Sequence, residues 1–242
     1  MRGLKIFSIS NPKSPVSEAF RTLRTNIQFS SIDKPIRSMV ITSSAPNEGK
    51  STVAINIAAT IAQSGKRVLL VDADLRKPVL NKTFNMDGAK GLTNILVENV
   101  GVEEALYNFP DIEGLYVLSS GPIPPNPAEL LGSHKMKSFV ESIVEKFDMV
   151  IFDSSPIGMV TDSAILSTLV DGTIFVCAVG ETDIDLAKLA KESLDKVNAN
   201  ILGVVLNKVP MTGSRYYRYH YHQYYSYYYA SDEPRRKRRK RK

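Results

Sequence analysis

Met39-Val40-Ile41-Thr42-Ser43-Ser44-Ala45-Pro46-Asn47-Glu48-Gly49-Lys50-Ser51-Thr52 is the stretch on which the reading of this chain turns. Residues 39–42 read as a strand, and a helix is expected over about 50–64. Between them, Ser44 to Ser51 ends in Gly-Lys-Ser, the tail of the phosphate-loop pattern. Placed between a strand and a helix, such a loop binds phosphate oxygens through backbone N–H groups and the helix N-terminus. The backbone of Pro46, Asn47, Glu48, Gly49, Lys50, Ser51 and Thr52 is expected to line the phosphates. Lys50 would add a point charge, and the Ser51 hydroxyl would ligate Mg2+. Ser44 departs from the pattern, which usually has its first glycine there.

Two more strand ends carry acids. In Leu69-Leu70-Val71-Asp72-Ala73-Asp74-Leu75-Arg76-Lys77-Pro78, alternation places Asp72 and Asp74 on the same side of the strand end. Both could face a nucleotide there, although two such carboxylates repel unless a cation or a proton lies between them. Two solvated aspartates opening a turn are the plainer alternative. Val150-Ile151-Phe152-Asp153-Ser154-Ser155-Pro156 ends an apolar strand in Asp153, which suits holding Mg2+ directly or through water. Parallel sheets gather ligands at the carboxyl ends of their strands, where all three elements fall.

Further strand candidates lie at 115–118, 149–152, 173–179 and 201–206. Near-continuous apolar strands between helices imply an α/β fold, a mostly parallel sheet buried on both faces. Asn126-Pro127 reads as an N-cap and first helical position. Upstream, residues 17–29 read as an amphipathic helix, with Phe20, Leu23 and Ile27 on one face and Glu18, Arg21 and Arg24 in a polar row. Periodicity stops after Pro210, so 211–242 is expected to be weakly ordered. Organisation is thus expected in three parts: 1–37, 38–210 and a tail over 211–242.

The chain has 242 residues and a formal charge of +6, but 235–242 alone supplies eight cations, leaving 1–234 at −2. The body is near neutral, and the basicity belongs to the tail. A single cysteine, Cys177, cannot form an internal disulfide, which fits a reducing cytoplasm. No apolar stretch approaches the ~20 residues needed to span a bilayer. Membrane association is therefore expected only through a partner or surface charge. His134, His220 and His222 form no metal-ligand spacing. Nine of the eleven tyrosines crowd into 216–229: Tyr216, Tyr217, Tyr219, Tyr221, Tyr224, Tyr225, Tyr227, Tyr228 and Tyr229. A phosphate-loop protein with so many phenols on its own tail points to a kinase that modifies itself; an aromatic interaction tail is the alternative.

Taken together, these motifs resemble the bacterial tyrosine kinases of capsule and exopolysaccharide systems. The deviant Walker A loop Ala45-Pro46-Asn47-Glu48-Gly49-Lys50-Ser51-Thr52, the Walker A′ motif Val71-Asp72-Ala73-Asp74-Leu75-Arg76 and the Walker B strand end Ile151-Phe152-Asp153 carry the resemblance. The Glu18, Arg21, Arg24 row matches the family's Glu-x-x-Arg-x-x-Arg helix, and the tyrosine cluster its autophosphorylation site. Ser155 departs from the proline expected there.

That resemblance implies a P-loop NTPase-like kinase domain over 38–210 that uses ATP and Mg2+ to phosphorylate tyrosine. It further implies a homo-oligomeric ring, usually of eight subunits, assembled through Glu18, Arg21 and Arg24 and lost on tail phosphorylation. A membrane adaptor, an opposing tyrosine phosphatase and control of polysaccharide polymerisation and export are implied with it, as is a place at the inner face of the cell membrane. Lys50 is expected to contact the phosphates, Ser51, Asp74 and Asp153 to hold Mg2+, and Asp72 to take the tyrosine proton, with Asp72 and Asp74 exchangeable in these roles. Asn207 either reads the adenine ring or caps the loop. The basic terminus is expected to touch anionic lipid weakly or pair with phosphotyrosine, rather than bind nucleic acid. Partition or septum-site ATPases are the nearest rivals, but resemble one another in an early loop lysine where this chain has Ala45; a nucleotide-gated scaffold is the third possibility.

Overall fold

A computed structural model describes residues 5–30 and 34–210. Helices α1 (Phe7–Ser10) and α2 (Pro15–Phe29) lead into β1 (Ser38–Ser43), α3 (Lys50–Ala62) and β2 (Val68–Asp72). Three short helices follow, α4 (Leu80–Thr83), α5 (Leu92–Glu98) and α6 (Val102–Ala105), then β3 (Leu106–Asn108) and β4 (Leu115–Leu118). The chain continues through α7 (Pro127–Leu131), α8 (His134–Lys146), β5 (Met149–Asp153) and α9 (Asp162–Ser167). It closes with β6 (Gly172–Ala178), α10 (Ile184–Lys196) and β7 (Ile201–Asn207).

The seven strands form one sheet in the order β3-β4-β2-β5-β1-β6-β7. Every pairing is parallel except that of β3 with β4. The central strands β1, β2 and β5 are buried at every position, because helices cover both faces. Alternate residues divide between two layers. Met39, Ile41, Leu70 and Ile151 pack with Val53, Ile57 and Ile61 of α3. Val40, Leu69, Val71 and Phe152 pack with Phe139, Val140 and Ile143 of α8. Full burial of each such side chain contributes about 1.5–3 kcal/mol. Register sets Asp72 directly beside Asp153, and Asp153 beside Ile41, so the ends of β2, β5 and β1 meet at mid-sheet.

Helix α3 is buried along almost its whole length because α1 and α2 cover its outer side. Asn56 clips the N-terminal segment there: its Oδ1 accepts from Phe7 N at 2.7 Å and its Nδ2 donates to Lys5 O at 2.9 Å. Ser14 caps α2 by accepting from Ser17 N, with Pro15 in the first turn. Ile27 is buried, and Phe20 and Leu23 pack against the core. Glu18 pairs with Arg21, and Arg24 donates to Thr60 O of α3 at 3.2 Å.

Two features differ from the sequence reading. Strand β7 is not buried on both faces: it lies at the sheet edge, with Val204 and Leu206 more than half exposed. The three-residue β3 has no apolar run of its own and exists by pairing antiparallel to the open side of β4. Residues up to Asn207 make one compact unit. The nine clustered tyrosines and the terminal cations lie outside the described residues.

Candidate active site

The loop between β1 and α3 needs two left-handed residues, Asn47 at φ 64° and Gly49 at φ 98°. Asparagine tolerates that region and glycine is at home in it. Glycine is needed at 49 for a second reason: a Cβ there would lie 1.9 Å from Asn207 Nδ2. That amide donates to Glu48 O at 2.9 Å, so Asn207 braces the loop from the end of β7.

Glu48 turns inward. Its carboxylate accepts from Ser44 Oγ at 2.8 Å, from Ala45 N at 3.0 Å and from Thr182 Oγ1, and its residue is 3% exposed. Ser44, the departure from the usual glycine, is thus half of an internal staple. Only the backbone of Glu48 remains for phosphate contact; Pro46 and Asn47 sit exposed at the rim. The first-turn N–H groups of α3 have no acceptor within the helix, and its positive dipole end favours an anion.

Facing that turn, Lys50 Nζ lies 3.0 Å from Asp74 Oδ2, 3.7 Å from Asp153 Oδ1 and 3.4 Å from Ser51 Oγ. Burial opposes the Lys50 ammonium, but Asp153 and Asp74 outweigh it and hold its pKa above the ordinary value. Asp74 Oδ1 accepts from Ser155 Oγ at 2.9 Å and from Lys77 N at 3.0 Å. Asp153 is fully buried, and both its carboxylate oxygens lack a hydrogen-bond partner. Burial pushes its pKa up, against the pull of Lys50.

Asp72 is also fully buried. Its Oδ2 accepts from Val79 N at 2.9 Å and Leu80 N at 2.8 Å, which fixes the start of α4, while Oδ1 has no partner. Burial first, then the charge of Asp153, raises its pKa to about 7 despite those amides. Among the described residues, no group of three or more His, Cys, Asp or Glu is arranged to hold a metal by itself. The orphaned oxygens of Asp153, with Asp74 and Ser51, fit a hard cation that completes its shell with phosphate and water, as Mg2+ does.

The structure therefore brings together Lys50, Ser51, Asp72, Asp74 and Asp153, with Asn207 against the loop. Glu18, Arg21 and Arg24 lie apart on α2, over α3. Residues the sequence reading passes over are Thr182, which reaches Glu48, and Asp162, whose buried carboxylate grips Arg76. Both are distant in sequence from the partners they hold, and no motif marks them.

A family model described as an AAA domain matches residues 37–179. Tyrosine-protein kinase YwqD of Bacillus subtilis is 43% identical over 215 residues, covering 89% of this chain and 90% of that protein. Tyrosine-protein kinase CpsD of Streptococcus agalactiae is 38% identical over 203 residues, covering 84% and 87%. Among solved structures, the kinase domain of Escherichia coli tyrosine kinase ETK superposes with a TM-score of 0.83 at 30% identity, covering 88% of this chain and 84% of that one. Likeness of this extent, over a nucleotide-binding loop faced by two strand-end aspartates and by Asp74 just beyond a strand, places the chain in the family of bacterial tyrosine-protein kinases of the capsule and exopolysaccharide type, enzymes that transfer phosphate from ATP to tyrosine.

Proposed function

We propose that this kinase phosphorylates its own C-terminal tyrosines, Tyr216, Tyr217, Tyr219, Tyr221, Tyr224, Tyr225, Tyr227, Tyr228 and Tyr229, and so controls polysaccharide synthesis and export. The observation that carries the reading is Lys50, held between Asp74 and Asp153 at the mouth of the phosphate loop. Phosphoryl transfer needs mainly positioning and charge compensation. Lys50 and the backbone N–H groups of residues 46–52 take the phosphates. Ser51, Asp74 and Asp153 would hold Mg2+, which would supply positive charge to offset that of the phosphates. Asp72, whose Oδ1 has no other partner, takes the phenolic proton. Strand β7 ends at Asn207, and Tyr216 follows nine residues later, a reach of at most about 30 Å.

The reading extends to assembly and place. Glu18, Arg21 and Arg24 join subunits into a ring, of eight by family resemblance, which presents each tail to a neighbouring site. A membrane adaptor recruits the enzyme to the inner face of the cell membrane, the basic terminus adds weak contact with anionic lipid, and a tyrosine phosphatase resets it. Incubating the full chain with γ-labelled ATP and mapping the label tests the central claim. Label on peptides from 216–229 is expected; ATP consumed with every tyrosine unlabelled would refute it.

A further inference from the structure

We infer that Asp162 is a positioning residue for phosphoryl transfer, acting through Arg76 on the loop that presents Asp74. This rests on Asp74 belonging to the catalytic centre. Arg76 lies two residues beyond Asp74, between β2 and α4. Its Nε donates to Asp162 Oδ2 at 2.8 Å and its Nη2 to Asp162 Oδ1 at 3.0 Å, a two-pronged pair that fixes the guanidinium plane. The Asp162 side chain is 0% exposed, whereas that of Arg76 is 39% exposed. The anchor is therefore the buried member and the held group faces outward.

Asp162 is itself fixed. It opens α9, and the next residue, Ser163, is wholly buried. The Ser163 hydroxyl donates to Ser155 O and lies 2.9 Å from Ser154 Oγ and 3.0 Å from Thr42 Oγ1. Thr42 donates to Ser155 O at 2.9 Å. This hydroxyl cluster ties α9 to the ends of β1 and β5, next to the phosphate loop. The segment after Asp153 thus grips the segment after Asp72 twice, through Ser155 Oγ to Asp74 and through Asp162 to Arg76. The two grips lie on either side of Leu75, which is fully buried. Between them they define where the Asp74 carboxylate stands.

A buried carboxylate paired to a partly exposed arginine is a weak device for stability, because desolvation offsets much of the attraction. Its advantage is geometric. A displacement of about 1 Å in a reacting group costs on the order of 100-fold in rate. Asp162→Ala leaves no buried charge unpaired, so it frees Arg76 with little threat to the fold. Arg76→Ala would strand Asp162 and is the poorer test.

Full-length Asp162→Ala and Asp162→Asn proteins should be assayed for tyrosine phosphorylation, for binding of a fluorescent ADP analogue at varied Mg2+, and for thermal melting. Asp162→Ala is expected to lower kcat by roughly 10–100-fold while KM for ATP changes less than about twofold. Analogue binding in that variant should need several-fold more Mg2+, and Asp162→Asn, which keeps one acceptor, should fall between it and the wild type. An unchanged kcat would overturn the inference, as would losses in both variants that follow melting temperature alone. Asp74→Asn serves as the control. If it stays fully active, the placing of Asp74 in the centre fails and takes this inference with it; if it is inactive while Asp162→Ala is normal, only this inference fails.

Discussion

Lys50 is the charge on which the site balances, since it lies within reach of two buried carboxylates that no other described cation approaches as an ion pair. Replacing it with methionine removes both the phosphate contact and the counter-charge. Lys50→Met is expected to abolish autophosphorylation, a loss of at least about 100-fold by analogy with other preorganised charge contacts; anti-phosphotyrosine blotting after ATP treatment reads it, and a clear signal would refute the assignment. Glu48 acts differently, through the shape of the loop. Glu48→Ala leaves Ser44 Oγ without its acceptor in a buried place, and Ala45 N and Thr182 Oγ1 without theirs at half-buried positions. A buried unsatisfied donor costs about 1–3 kcal/mol, and one that water can reach costs less. Melting temperature should fall and KM for ATP rise about 10-fold, equivalent to 1.4 kcal/mol, with Glu48→Gln milder in both; an unchanged KM would show that the staple does not shape the phosphate site.

Helix α2 carries an apolar row and a polar row. Phe20, Leu23 and Ile27 fasten it to the core, while Glu18, Arg21 and Arg24 stand half-exposed and contribute Arg24's bond to Thr60 O. Replacing all three polar residues with alanine removes the Glu18–Arg21 pair and the bonds of Arg21 to Pro12 O and Arg24 to Thr60 O but leaves Phe20, Leu23 and Ile27 in place, so the helix should stay docked and stability fall by about 1–2 kcal/mol. Light scattering is expected to report monomers; an intact oligomer in the triple variant would exclude these residues from the subunit contact. The same element illustrates what a sequence makes legible, since apolar spacing identifies the helix and its buried side, whereas nothing in the spacing foretells that Arg24 reaches back to Thr60 O of α3. Strands β1, β2 and β5 are legible because apolar runs buried on both faces have one reading. By contrast, β3 depends on the open edge of β4, and α4 depends on the two amides that Asp72 accepts. The first cause is strand pairing and the second a side chain seven and eight residues back along the chain, and neither lies within the element it sets. The gathering of Lys50, Ser51, Asp72, Asp74 and Asp153 follows from motifs that the sequence shows, because each sits at a strand end, at a helix start or, for Asp74, two residues past a strand. The Glu48–Thr182 contact and the Arg76–Asp162 pair are not, since these partners lie 134 and 86 residues apart.

At the scale of the whole molecule, charge is divided unevenly along the chain. Residues 1–234 carry a formal −2 and 235–242 carry eight cations. Each phosphotyrosine adds about −1.5 to −2 at neutral pH, so full modification of the nine clustered tyrosines adds roughly −13 to −18. That exceeds the terminal cations and reverses the sign of the tail. The Debye length at physiological salt is about 8 Å, so this charge is felt only between tails that an assembly holds close together. Repulsion among neighbouring tails should therefore dissociate the phosphorylated oligomer while leaving each fold intact. Sedimentation of ATP-treated and phosphatase-treated protein is expected to give smaller species after ATP, with the difference widening at low salt and shrinking at high salt. A variant with all nine tyrosines replaced by phenylalanine keeps the aromatic bulk but accepts no phosphate, and should stay assembled after ATP under both conditions. Dissociation of that variant by ATP would trace the effect to nucleotide binding; full assembly of heavily phosphorylated wild type at low salt would remove tail charge as the cause.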